Sequence, residues 1–84
     1  MSEHAVVRFV NEMTGKETEL EIPLSISAND LIVALDSAYS LGMDTENLFG
    51  CHLVSENPIA FLHGNRELSE YGIRNGSRII FRGN

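Results

Sequence analysis

Only one stretch of this chain repeats its apolar residues at helical spacing, and the segments around it alternate. Ala28, Leu31, Ile32, Leu35, Ala38 and Tyr39 recur at i, i+3, i+4 and i+7, which lines them along one side of an α-helix. Ser27 stands where an N-cap is needed, and Asp30, three residues on, complements it and the positive helix end. Gly42 is expected to end the helix in a left-handed conformation. A chain with one such helix and several alternating segments must bury the helix stripe against one face of a sheet.

The alternating segments supply that sheet. His4 to Val10 sets Ala5, Val7 and Phe9 against Val6 and Arg8, a period of two that means strand. The polar run Asn11 to Lys16 contains Gly15 and reads as a hairpin loop. Glu17 to Leu24 alternates again, with Thr18, Leu20 and Ile22 opposite Glu17, Glu19 and Glu21, so the two segments form an antiparallel hairpin. Beyond the helix, residues 43–47 connect to a third strand expected over Leu48 to Val54. Pro58 confines Ile59 to Leu62 to a short edge strand. Leu68 to Ile73 reads as a tight turn with Leu68, Tyr71 and Ile73 inward. Asn75-Gly76 makes another turn, and Arg78 to Arg82 forms the last strand, Ile79 and Phe81 opposite Ile80. The expected fold is α+β, a mixed sheet of four to five strands on one α-helix, with residues 1–84 as a single domain.

Length and charge narrow the function. A domain of 84 residues removes only about 60% of its unfolded surface from water, leaving little apolar surplus for a deep pocket. Its 43% hydrophobic content is above that of a disordered chain. Twelve acidic residues against six basic ones give a formal charge of −6, which argues against nucleic acid or an anionic membrane surface as partner. No apolar run approaches the ~18 residues of a membrane span, and Met1-Ser2-Glu3-His4 lacks a signal-peptide profile. The lone Cys51 cannot form an internal disulfide, in keeping with a reducing, cytoplasmic setting.

Catalytic chemistry is not expected. His4, His52, His63 and Cys51 lack metal-ligand spacing, and Cys51 and His52, adjacent on a strand, point to opposite faces. Cys51 reads as a small core residue. No Ser/His/Asp set, phosphate-cradling loop or close carboxylate pair stands out. The expectation is a non-enzyme without metal or cofactor.

Two motifs carry a resemblance. Thr14-Gly15-Lys16 in the first hairpin loop and Leu68-Ser69-Glu70-Tyr71-Gly72-Ile73 before the last strand resemble the corresponding parts of ubiquitin. The closing pattern Leu68, Tyr71-Gly72-Ile73, Asn75-Gly76 and Ile79 looks closer still to the small YukD-like proteins of bacterial type VII secretion loci. That resemblance implies a ubiquitin-like β-grasp and an accessory role in secreting small helical-hairpin substrates, through contacts with the cytoplasmic part of the machine. The alternatives are a regulatory or structural β-grasp subunit of an enzyme complex, such as a multicomponent oxygenase, and a modifier or sulfur carrier. The last departs from the pattern here: ubiquitin-type modifiers end in Gly-Gly, whereas this sequence closes with Arg82-Gly83-Asn84.

The sheet face away from the helix is the expected place for a protein partner. With Ala5, Val7 and Phe9 inward, Val6, Arg8 and Val10 face out, as do His52, Val54, Arg78, Ile80 and Arg82. In the strand order of ubiquitin the first and last strands are central neighbours, which would set Arg8, Arg78 and Arg82 around an apolar patch of Val6, Val10, Val54 and Ile80. The competing expectation is that the arginines only pair across strands with Glu17, Glu19 and Glu21. On the open-patch reading, Ile80→Glu would leave stability nearly unchanged.

Overall fold

The alternation at the N-terminus folds as a hairpin. The computed structural model describes residues 3–83, and in it β1 (His4–Asn11) pairs antiparallel with β2 (Lys16–Pro23), Val7 opposite Leu20 and Phe9 opposite Thr18. Gly15, at φ 76°, takes the left-handed position of the connecting turn, where its amide donates to Asn11 O at 2.8 Å.

The helix α1 (Ala28–Tyr39) starts where the sequence places it. Asp30 N donates to Ser27 Oγ at 3.0 Å and Ser27 N to Asp30 Oδ2 at 3.2 Å, a reciprocal cap. Its end differs from expectation. Ser40, not Gly42, adopts the left-handed cap, at φ 54°, with its amide on Asp36 O. The Asp36 carboxylate also accepts from Met43 N at 2.9 Å. The chain therefore begins to turn two residues before the glycine.

After the helix, the expected strand over Leu48 to Val54 is only partly realised. Leu48–Gly50 forms one turn of 3-10 helix, and β3 runs over Leu53–Glu56. The apolar run was too short for its period to separate strand from turn. The amides of Gly50 and Cys51 instead close on Asn47 O and Leu48 O. β4 (Ala60–Leu62) is the short edge strand, a second 3-10 turn covers Leu68–Tyr71, and β5 (Arg78–Phe81) is last.

The sheet order is β2-β1-β5-β3-β4. β1 and β5 are parallel; the other pairs are antiparallel. Parallel neighbours need a long crossover, and α1 lies within it. One cluster fills the space between helix and sheet, with Val7, Phe9, Ile32, Leu35, Leu53, Leu62, Leu68 and Ile79 among its members. Two fully buried serines fix the β3–β4 turn, Ser55 to its own strand and Ser77 to the approach to β5. Ser55 Oγ donates to Pro58 O at 2.8 Å and Ser77 Oγ to Asn57 O at 2.6 Å.

The inward assignments hold at the centre and fail at the rim. Thr18, Ala38 and Tyr39 are exposed although their spacing points them inward. An eight-residue strand is about 27 Å long and a twelve-residue helix about 18 Å, so α1 cannot cover the whole hairpin. Tyr39 still reaches the Phe9 ring, centroids 5.2 Å apart.

The opposite deviation matters more. Val10 and Ile80 alternate outward as expected, yet they are only 6% and 2% exposed and stand outside the core cluster. Ile80 is the middle of the sheet, with Val10 on one side and Val54 on the other. The expectation that Ile80→Glu would spare stability is therefore corrected: a buried carboxylate there would be costly whichever face it points to. Ile80→Ala is expected to cost about 2–5 kcal/mol, the usual range for a truncated buried isoleucine, and Ile80→Glu more. Urea denaturation of both variants measures this; a loss below about 0.5 kcal/mol, typical of surface sites, would show that Ile80 is not packed.

Candidate functional site

The register assembles the outer face in rows. Glu17, Val10, Ile80, Val54 and Phe61 lie opposite one another across all five strands. Beside this row, Glu19, Arg8, Arg78 and Glu56 form a second, charged one. On the other flank Arg82 Nε reaches Glu12 Oε1 at 3.2 Å. An apolar row thus crosses the sheet between two bands of charge.

The arginines are paired. Arg8 Nη1 lies 3.8 Å from Glu17 Oε1 and Arg78 Nε 3.5 Å from Glu56 Oε1. Of the expected glutamate partners only Glu17 is engaged; Glu12 and Glu56 take the other two places. All these side chains remain about half exposed, so each pair contributes no more than about 1 kcal/mol. Guanidinium groups held this weakly can exchange an internal carboxylate for one on a partner at small cost.

The eight residues expected on this face do not form one open patch. Arg8, Arg78 and Arg82 are exposed, Val54 and His52 half-buried, Val10 and Ile80 buried. Val6, 41% exposed, is separated from the apolar row by Arg8. It lines a shallow hollow of about 460 Å³ with Arg8, Glu19, Asn75 and Arg78. His52 lies against Phe61, with ring centroids 4.6 Å apart and nearly parallel planes.

The row's most accessible member is one that sequence reasoning missed. Phe61 is 52% exposed and carries His52 on one side and His63, at 4.9 Å, on the other. Continuing the alternation from Leu62 would have placed Phe61 outward. Phe49, assigned by the sequence to a strand, is wholly exposed on the one-turn helix after α1.

Cys51 lies in the core cluster, 4% exposed. Its thiol donates to Asp44 O at 3.3 Å. Burial first, and then the negative charge of Asp44, push its pKa up from the ordinary thiol value. Among the described residues, no group of three or more His, Cys, Asp or Glu is placed to hold a metal ion. No helix among them is long and apolar enough to cross a membrane.

The strand order, the parallel central pair and the single crossing helix define a ubiquitin-like β-grasp. Solved structures agree. The ubiquitin-like domain from tubulin-binding cofactor B aligns with a TM-score of 0.75 and 22% identity over 95% of this chain and 89% of that one. The C-terminal ubiquitin-like domain of mouse tubulin-specific chaperone e gives 0.75 and 14% over 99% and 89%. The UBL domain of yeast Ddi1 gives 0.67 and 24% over 96% and 90%. At these identities the likeness is one of fold. Residues 4–81 match the family described as the WXG100 protein secretion system (Wss) protein YukD. The chain belongs to that family. No curated protein sequence matches it.

The raised thiol pKa has a testable consequence. The folded state keeps a proton that the unfolded state releases, so stability contributed by Cys51 is present below the ordinary thiol pKa, about 8.5, and is lost as pH rises beyond it. Urea midpoints on either side of that pH should fall for the wild type, and Cys51→Ala should remove part of the slope. An alkylating reagent should label Cys51 slowly in the native state and rapidly in denaturant; fast native labelling would place the thiol at the surface.

Proposed function

We propose that this chain is a protein-binding accessory component of a bacterial type VII secretion system, working in the cytoplasm without cofactor or covalent attachment. The observation that carries the reading is the YukD family match along residues 4–81. The outer sheet face supports it. α1 covers the other face, and the outer one offers Val54 and Phe61 beside three exchangeable arginines. Arginine suits such a role, because its planar fork pairs with carboxylates and its stem packs on apolar surface.

Near the end of the described residues, Gly83 packs against the first hairpin loop. At φ 76° it lies so close to Met13 that a Cβ there would stand 2.5 Å from the Met13 sulfur. Asn84, on which the sequence argument about the tail rests, lies outside the described residues.

The partner is proposed to be the cytoplasmic part of the secretion machine, docking with acidic groups over Arg8, Arg78 and Arg82. Arg8→Glu combined with Arg82→Glu should abolish capture of machine components co-expressed from the same locus. The melting temperature should stay within a few degrees of wild type, since both side chains are exposed. Undiminished capture by the folded double variant would remove the sheet face from the interaction. Recovery of enzyme subunits in place of secretion components would support the regulatory-subunit alternative.

A further inference from the structure

All the basic side chains of this protein lie toward its two ends. Between Lys16 and Arg66 the sequence contains neither lysine nor arginine; it carries Glu17, Glu19 and Glu21 on β2 and, from the helix onward, Asp30, Asp36, Asp44, Glu46 and Glu56. Of these, Glu56 is neutralised by Arg78. Asp44 and Glu46 are exposed and have no cation nearby in the sequence.

The same segment holds the most exposed apolar side chains. Phe49 is 100% exposed, Ile59 87% and Phe61 52%. They are connected. Phe49 and His63 line one hollow of about 460 Å³ with Leu48, Asn29 and Asn65. His63 in turn packs edge-on against Phe61, and Ile59 stands in the turn just before the edge strand, two residues ahead of Phe61. This strip runs from the one-turn helix to the sheet edge, and no part of the fold covers Phe49.

We infer that the Phe49–His63–Phe61 strip is a second docking site, and that its occupant is a basic amphipathic helix of another protein. Two phenylalanines bracketing a hollow suit the apolar stripe of a helix. The charge decides between occupants. A second copy of this chain would bring another −6 and another Asp44 and Glu46 against the first, whereas a lysine- or arginine-bearing helix would meet the exposed Asp44 and Glu46 on the segment that leads into Phe49. The strip meets the outer row at Phe61 and leaves Arg8, Arg78 and Arg82 outside it; those arginines call for an acidic partner, so the domain presents surfaces to partners of opposite charge.

The test is a titration of the ¹⁵N-labelled protein with a synthetic amphipathic helix of leucine and lysine, and with the same peptide carrying glutamate for lysine. The lysine peptide should shift amides within residues 44–64, and the glutamate peptide should bind at least about tenfold more weakly, equivalent to about 1.4 kcal/mol. Phe49→Ser with Phe61→Ser should weaken the lysine peptide by a similar factor. Asp44→Asn with Glu46→Gln should weaken it several-fold and flatten its salt dependence. Phe49→Ser alone, at a fully exposed position, supplies the folded variant if the double change lowers the melting temperature, and it should leave any capture through Arg8 and Arg82 intact. Shifts centred on Glu17, Glu19 and Glu21, equal binding of both peptides, or unchanged affinity in Phe49→Ser would each overturn the proposal. So would a concentration-dependent dimer in sedimentation that Phe49→Ser abolishes, because the occupant would then be a second copy.

Discussion

The fold hangs on the parallel pairing of its first strand with its last. Arg8 and Arg78 stand opposite each other, and so do Val10 and Ile80. The ladder is held at its start by Val6 N on Asn75 Oδ1 at 2.7 Å and by Arg8 N on Ser77 O at 3.0 Å. Closing so long a loop costs conformational entropy that only later contacts repay. Once it is closed, α1 must cross one face, and β3 can pair on the free side of β5. The core between helix and sheet depends on this closure, and so does the continuity of the outer rows.

On that outer face two tendencies oppose each other. The apolar row Val10, Ile80, Val54 and Phe61 gains by leaving water, while the sheet has only one helix to cover it. Side chains with long stems on the neighbouring rows, Arg8, Arg78, Arg82 and their glutamates, accompany the burial of the central pair. Exposure is left to the edge, at Phe61. A patch that would be adhesive in the middle of the sheet is thus moved to its side, onto a strand of three residues. Short edge strands limit unwanted sheet extension, so the placement keeps an accessible aromatic without a long open edge.

The division of charge gives the molecule two chemically distinct sides. On the outer face the arginines on and beside β1 and β5 meet glutamates of β2, β3 and the first loop, where each can neutralise the other. The segment from α1 through β4 has acids alone. For the binding role proposed here, the distribution of charge over these surfaces is what can separate one partner from another.

The order of elements was legible in the sequence because period-two and period-3.6 patterns are local, and so was the cap at Ser27 and Asp30. The ubiquitin-like class followed from that order, and the secretion family from the turn motif Leu68 to Gly76. The alternation also placed Val10 and Ile80 on the correct face. Only the tertiary structure decided that they are buried, because burial in mid-sheet depends on neighbours from strands far apart in the chain. It likewise replaced the start of the third strand by a turn at Leu48–Gly50, which frees Phe49, and brought His52, Phe61 and His63 together across β3 and β4. Sequence by itself determined which residues can face outward; the pairing of distant strands determined which of them meet water.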